Sequence, residues 1–272
     1  MSLALRVTGP VAITYLLTWG VLMTGILLRW NTTLLGTLVM WVPGVIALIA
    51  AKVLKVRLPI FGIRHLFTAP LWAIALVLGV CLLSLPFATP AKETWETMMV
   101  ALKIPVQGGV AFVLGLLFFT LVSYVAGLTI NLVAALGEEL MWRGLLWEQL
   151  KGLGFVPASL TIGAIWGFWH APMVWLIGLN YPSTPLWIGL AMMLLVCLTL
   201  SPILCYLRAR GDSILVPAAF HGTINAISGV AFLLFAAPNP LIVGMTGIPG
   251  IILSAGVSVY CILKCRQRQE TC

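Results

Sequence analysis

Continuous apolar runs, each about 20 residues long, follow one another along most of the chain, with short polar intervals between them. Coiled into a helix, a run of that length covers the roughly 30 Å of a bilayer's hydrocarbon core. The apolar positions do not alternate with polar ones, so the pattern selects helices over the strands of a membrane barrel. The spans it predicts are 10–28, 34–51, 69–88, 109–150, 157–178, 185–207, 213–236 and 241–263. The run 10–28 is too long for the core of a signal peptide and reads as a membrane helix. The expected fold class is all-α: a polytopic integral membrane protein of eight transmembrane helices, with 1–272 as one membrane-embedded domain.

Composition supports this pattern. The chain is 61% hydrophobic and 8% charged, with a mean hydropathy of +1.12. Soluble domains carry roughly 25% charged residues, so lipid must be the solvent for most of this surface. The net charge of +8 raises the question of a nucleic-acid partner. The basic residues sit in short clusters between apolar runs, as topology signals do, so no nucleic acid is expected.

Charge also decides how the long stretch 109–150 is used. With a single crossing and Arg6 on the cytoplasmic side, Lys52, Lys55, Arg57, Arg64, Lys151, Arg208, Arg210, Lys264, Arg266 and Arg268 share that side. Arg29, Lys92 and Lys103 fall on the other. Two crossings would put the later clusters outside, against the positive-inside rule. The expectation is therefore eight crossings with both termini cytoplasmic, and a tilted, kinked or re-entrant piece before Thr129, broken near Gly127. The cysteines (Cys81, Cys197, Cys205, Cys261, Cys265 and Cys272) lie mostly in apolar runs without a CxxC pair, and read as small buried hydrophobes.

Ionisable groups inside spans are costly and mark functional candidates. Here they are Glu138, Glu139, Arg143, His170 and His221; Glu148 reads as interfacial and His65 as a solvated loop residue. Glu139 and Arg143 are four apart and share a helix face, as an ion pair would. Glu138 lies roughly 140° around the helix from Arg143 and is left without an obvious partner. His170 follows Trp166 by four, and Asn225 follows His221 by four, so each pair shares a face. Taken singly, each feature has an ordinary reading: a structural ion network, a core histidine, a bond between helices. Depth links them. At 1.5 Å per residue, Glu138 lies roughly 20 Å before Lys151, His170 roughly 20 Å past Phe155, and His221 and Asn225 roughly 13 and 20 Å past Asp212. Three separate helices thus bring polar side chains to one level.

One carboxylate, two imidazoles and a carboxamide suit hydrolysis by water. Glu138 with His170 would hold and deprotonate the water, and His221 with Asn225 would donate to the developing oxyanion. Glu139, Arg143 and Trp166 would support them. No serine or cysteine sits beside these motifs in a GxSxG elbow, and Cys197 and Cys205 belong to another span. Zinc is chemically allowed by one Glu and two His, but no HExxH occurs and Asn225 is a poor zinc ligand. The expectation is a site without a cofactor, with zinc as the alternative. The scarcity of long loops places specificity in the cavity itself, drawn as a groove facing the cytoplasm.

Glu138-Glu139-x-x-x-Arg143, Trp166-x-x-x-His170 and His221-x-x-x-Asn225, in that order and each in an apolar span, resemble the CAAX prenyl endopeptidase and bacteriocin-processing family (the ABI or CPBP family) of intramembrane glutamic endopeptidases. The resemblance covers roughly 129–235, and departs mildly at Trp166, where phenylalanine is common. It implies about eight helices, Glu138 as general base with His170 as its partner, and an oxyanion site of His221 and Asn225. It also implies a membrane-associated protein or peptide substrate, prenylated CAAX proteins among them, in a multi-pass protein of a prokaryotic cell membrane. Two other readings stand beside it: a non-catalytic bacteriocin-immunity or scaffold protein, and an ion- or proton-coupled transporter.

Overall fold

The computed structural model describes residues 2–91 and 93–267; Lys92, Arg268 and Cys272 lie outside the described residues. Among the described residues the regular structure is helical, apart from one antiparallel bridge between Pro90 and Phe235. In lipid an unpaired backbone amide has no water to turn to, so each apolar run satisfies itself by coiling. Helix α1 (Leu3–Leu27) starts at Ser2 and α2 (Thr32–Leu54) at Asn31, whose Oδ1 accepts the amides of Thr33 and Leu34 at 3.0 and 3.1 Å. These caps satisfy donors that a first helical turn leaves free. The chain continues with α3 (Ala69–Ser84), α4 (Glu93–Ala101), α5 (Gly108–Leu128) and α6 (Ile130–Glu139). A π-helical segment (Leu140–Leu146) then leads into α7 (Trp147–Leu150). After it come α8 (Phe155–Trp169), α9 (Ala171–Ile177), α10 (Leu186–Gly211), α11 (Leu215–Ile227), α12 (Val230–Leu234) and α13 (Ile248–Gln267).

Eight helices among the described residues are long and apolar enough to cross a membrane, and the protein is a multi-pass integral membrane protein. Their outward faces carry exposed Leu16, Leu117, Trp175 and Trp187, side chains suited to lipid. Within 109–150 the span is Gly108–Leu128. The helix breaks at Thr129 (φ −128, ψ −102), two residues after the expected position. Beyond the break, α6 does not fold back on α5. Gly127 packs on Thr223, the Asn131 side-chain amide donates to the Gly222 carbonyl at 3.2 Å, and Gly144 lies against Ile214 and Leu58. The stretch therefore advances once along α11, antiparallel to it, as a single bent passage.

The connections sort into two ends. At one end, the Ser213 hydroxyl donates to the Ile60 carbonyl at 2.7 Å, the Ile214 amide to Pro59 at 2.9 Å, and buried Arg208 pairs with Glu148 at 2.9 Å. Glu148 also holds Lys151 at 2.6 Å, so its interfacial position comes with two cations. At the other end, the Ala91 amide donates to Leu234, Ala236 to Thr89, and the Tyr181 hydroxyl to Thr246, each at 2.8 Å. Lys52, Lys55, Arg57, Arg64, Lys151, Arg208 and Arg210 belong to the first end, Arg29 and Lys103 to the second. His65, expected to be freely solvated, is half-buried at the first end, in a left-handed turn (φ 65).

Candidate active site

Close backbone contact sets the position of both motif-bearing helices. A Cβ on Gly137 would stand 2.5 Å from the Met40 carbonyl oxygen, and one on Gly222 would stand 2.6 Å from the Asn131 backbone. Each glycine directly adjoins a candidate residue, Glu138 or His221. The absence of a side chain lets α6 press on α2, and α11 press on α6, as small residues do between membrane helices. The π-helical segment follows at once and carries Trp142 and Arg143; such bulges widen a helix locally and recur at functional sites.

The two adjacent carboxylates have different surroundings. Glu138 Oε2 accepts the indole N–H of Trp166 at 2.7 Å and that of Trp142 at 3.3 Å. Glu139 is fully buried; its Oε1 accepts from Arg143 at 3.1 Å and lies 2.8 Å from His221 Nδ1. The Arg143 guanidinium also stands over the Trp166 ring, 4.6 Å from its centroid, a cation–π contact in a dry setting. The expected Glu139–Arg143 pair thus forms, and gains a third member from a helix 82 residues away in sequence.

Both histidines are held through Nδ1. His170 Nδ1 lies 2.9 Å from the Trp166 carbonyl oxygen, which can only accept, so Nδ1 carries the proton and Nε2 of the neutral ring keeps its lone pair. Trp169 stands edge-on to His170 at 4.8 Å, and its indole donates to Thr18 at 3.0 Å. With Nδ1 of His221 engaged by Glu139, Nε2 is the nitrogen left for chemistry. Trp166 stands between them all: its ring is 5.7 Å from His170 and 5.3 Å from His221, and its N–H is on Glu138.

Glu138, His170, His221 and Asn225 line one cavity of about 740 Å³. Asn225, one turn beyond His221 on α11, is exposed there. The walls are otherwise largely apolar, among them Leu35, Val39, Met193 and Ile224. Cys197 of α10 also reaches the wall, with its sulfur 3.8 Å from His170 Nδ1. The cavity extends from Leu204 and Glu138 to Arg29, Trp30 and Asn180, at the end away from the basic clusters. Next to Asn180, burial raises the Tyr181 phenol above its ordinary value, and its hydroxyl donates to the Thr246 carbonyl.

Spacing alone did not reveal three of these contacts: Trp142 on Glu138, Glu139 on His221, and Cys197 beside His170. The first had a usable signal, because Trp142 follows Glu138 by four. The other two join segments distant in sequence. Among the described residues no three His, Cys, Asp or Glu side chains are grouped to share a metal ion. No step below is routed through a metal.

Residues 120–227, which contain all seven motif residues, match the family described as type II CAAX prenyl endopeptidase Rce1-like. The chain is also 29% identical over 137 residues to a protein named CAAX prenyl protease 2 from Methanococcus maripaludis. That stretch covers 47% of this chain and 49% of the relative, so the chain spans about half the length of the curated relative it matches. The resemblance read from the three motifs is borne out over this segment.

Proposed function

We propose that the protein is an intramembrane endopeptidase of the CAAX protease kind, cutting a peptide bond of a membrane-associated protein or peptide with water activated by Glu138 and His170. The observation that carries this reading is the convergence of Glu138, His170, His221 and Asn225 on one cavity, with Glu138, His170 and His221 each held by a neighbouring group. The match to a CAAX prenyl endopeptidase family and the name of the Methanococcus relative support the reaction class.

In this scheme the water gives one hydrogen bond to the Glu138 carboxylate and one to Nε2 of His170. As its oxygen attacks the scissile carbonyl carbon, its proton passes to Glu138. Charge grows on the carbonyl oxygen, which accepts hydrogen bonds from the Asn225 carboxamide and from Nε2–H of His221, protonated on both nitrogens against the Glu139 carboxylate. Collapse of the tetrahedral intermediate breaks the C–N bond, and the proton held by Glu138 leaves with the amine. The products are a new carboxyl terminus and a new amino terminus. Fixed donors in a largely apolar cavity strengthen each of these interactions relative to water.

Cys197 offers a rival nucleophile, since its thiol touches His170. The geometry disfavours it: the contact is to Nδ1, the nitrogen already donating to the Trp166 carbonyl, so that nitrogen has no lone pair with which to take the thiol proton. Cleavage of a membrane-embedded reporter separates the two schemes. Glu138→Ala should abolish cleavage while the protein still accumulates, and Cys197→Ala should retain it. Full activity in Glu138→Ala, or loss of it in a folded Cys197→Ala, would reject the water mechanism.

A further inference from the structure

We infer that an apolar slot between α3, α10, α11 and α13 holds one acyl chain of an anionic glycerophospholipid, with Lys264 on its head group. The slot is separate from the cavity that holds Glu138: among the described residues none lines both. The inference stands on the fold and does not depend on the peptidase reading.

The walls come from two membrane helices with matching small-residue stripes. On α3, Trp72, Ala75 and Gly79 fall at i, i+3 and i+7; on α13, Leu253, Gly256 and Tyr260 repeat that spacing, so each set lies along one helix face. Buried Ile203 of α10 and Phe220 of α11 form the floor. The space between them is about 700 Å³. Glycine keeps it open: a Cβ on Gly256 would meet nothing within 4 Å. A Cβ on Gly79 would stand 2.9 Å from Leu253 Cδ2, so the walls meet at that level. Exposed Trp72 and Tyr260 edge the slot one helix face further along. From Gly79 to Trp72 the helix rises about 10 Å.

The chemistry changes along the slot. Its floor and inner walls offer no charge, so what fills them is a thin apolar chain. Trp72 and Tyr260 are the amphipathic rings that settle at the head-group level of a bilayer. One turn beyond Tyr260, the Lys264 ammonium stands 5.7 Å from that ring's centroid. Lys264 touches the neutral Gln267 Oε1 at 3.4 Å, and among the described residues neither it nor Arg266 in the same last turn pairs with a carboxylate. Basic positions beside a gap between membrane helices attract anionic lipid head groups. Apolar slot, aromatic edge and unpaired cation thus follow one another in the order of a phospholipid's acyl chain, glycerol ester and phosphate.

The test is a lipid titration of the purified full chain in detergent, read by native mass spectrometry and by the thermal midpoint. The probes are dioleoylphosphatidylglycerol and dioleoylphosphatidylcholine, which share their chains and differ in net charge. The unsubstituted protein should retain one phosphatidylglycerol about fivefold more tightly than phosphatidylcholine, the effect of one lysine near an anionic head group. Its midpoint should rise with phosphatidylglycerol, as binding to the folded state requires. Lys264→Gln should bring the two lipids level. Gly256→Leu, which fills the slot where a side chain meets no neighbour, should lose the tight adduct of both lipids while its lipid-free midpoint is kept. Equal retention of the two lipids by the unsubstituted protein, or a fivefold preference surviving in Lys264→Gln, would overturn the head-group assignment. A preference surviving in Gly256→Leu would overturn the slot. A lipid-free two-chain species that Gly256→Leu splits would overturn the lipid as occupant and assign this face to a second copy of the chain.

Discussion

At the scale of residues, the two neighbouring glutamates have separate tasks. Glu138 faces the cavity with two indole donors on one oxygen, and Glu139 stays behind it holding Arg143 and His221. Removing one partner of a buried charge cluster costs about 3–5 kcal/mol, because the others stay buried without compensation. Glu139→Gln should therefore lower both the thermal midpoint in detergent and the rate, whereas Glu138→Gln should lower the rate alone. Trp166→Phe keeps the ring under Arg143 but removes the N–H from Glu138. A hydrogen bond to a charged group contributes about 1.5–3 kcal/mol, so the turnover number should fall at least about tenfold with little change in the melting midpoint. An unchanged turnover number in a folded Trp166→Phe would show that the indole does not position the carboxylate. Of these contacts, Glu139–Arg143 was legible from a four-residue spacing, because a helix puts such residues on one face. Glu139–His221 was not, since nothing local to either residue encodes a partner 82 positions away.

At the scale of elements, the helices themselves were legible, because every crossing must be a continuous apolar run. Their interruptions were harder. The break falls at Thr129 rather than Gly127, and Gly127 turns out to serve a close approach to Thr223 instead of a bend. The π-helical segment left no mark in the apolar pattern. Depth counting succeeded because the rise per residue is constant, which is why three motifs expected at one level line one cavity. Close helix contact near the site gives a further prediction. Gly137→Ala puts a methyl group 2.5 Å from the Met40 carbonyl oxygen, a clash between two backbones with no flexible side chain to yield. Overpacking of this kind costs about 1–3 kcal/mol. The substitution should lower the thermal midpoint and also the rate, by displacing Glu138 from its indole donors. Retention of both would mean that α2 and α6 tolerate separation.

At the scale of the whole molecule, two asymmetries lie along the helix bundle: Lys52, Lys55, Arg57 and Arg64 gather at one end, and the cavity lining runs toward Arg29, Trp30 and Asn180 at the other. The first could be counted in the sequence. The second emerged only from the packing of α1, α2, α8 to α11 and their loops. Because the polar groups of the cavity lack a grouped metal-ligand set among the described residues, cleavage should persist unchanged after treatment with a strong chelator. Loss of activity on chelation, with recovery on adding zinc, would contradict a hydrolysis run by side chains alone. The most direct test of the central claim, that Glu138 and His170 act on the same water, is a double-mutant comparison of turnover numbers on one reporter peptide in purified protein. Glu138→Gln and His170→Ala should each slow turnover by about 10²–10⁴-fold, and the double variant should be no slower than the worse single one. Losses that multiply, or full turnover in either single variant, would contradict a shared water.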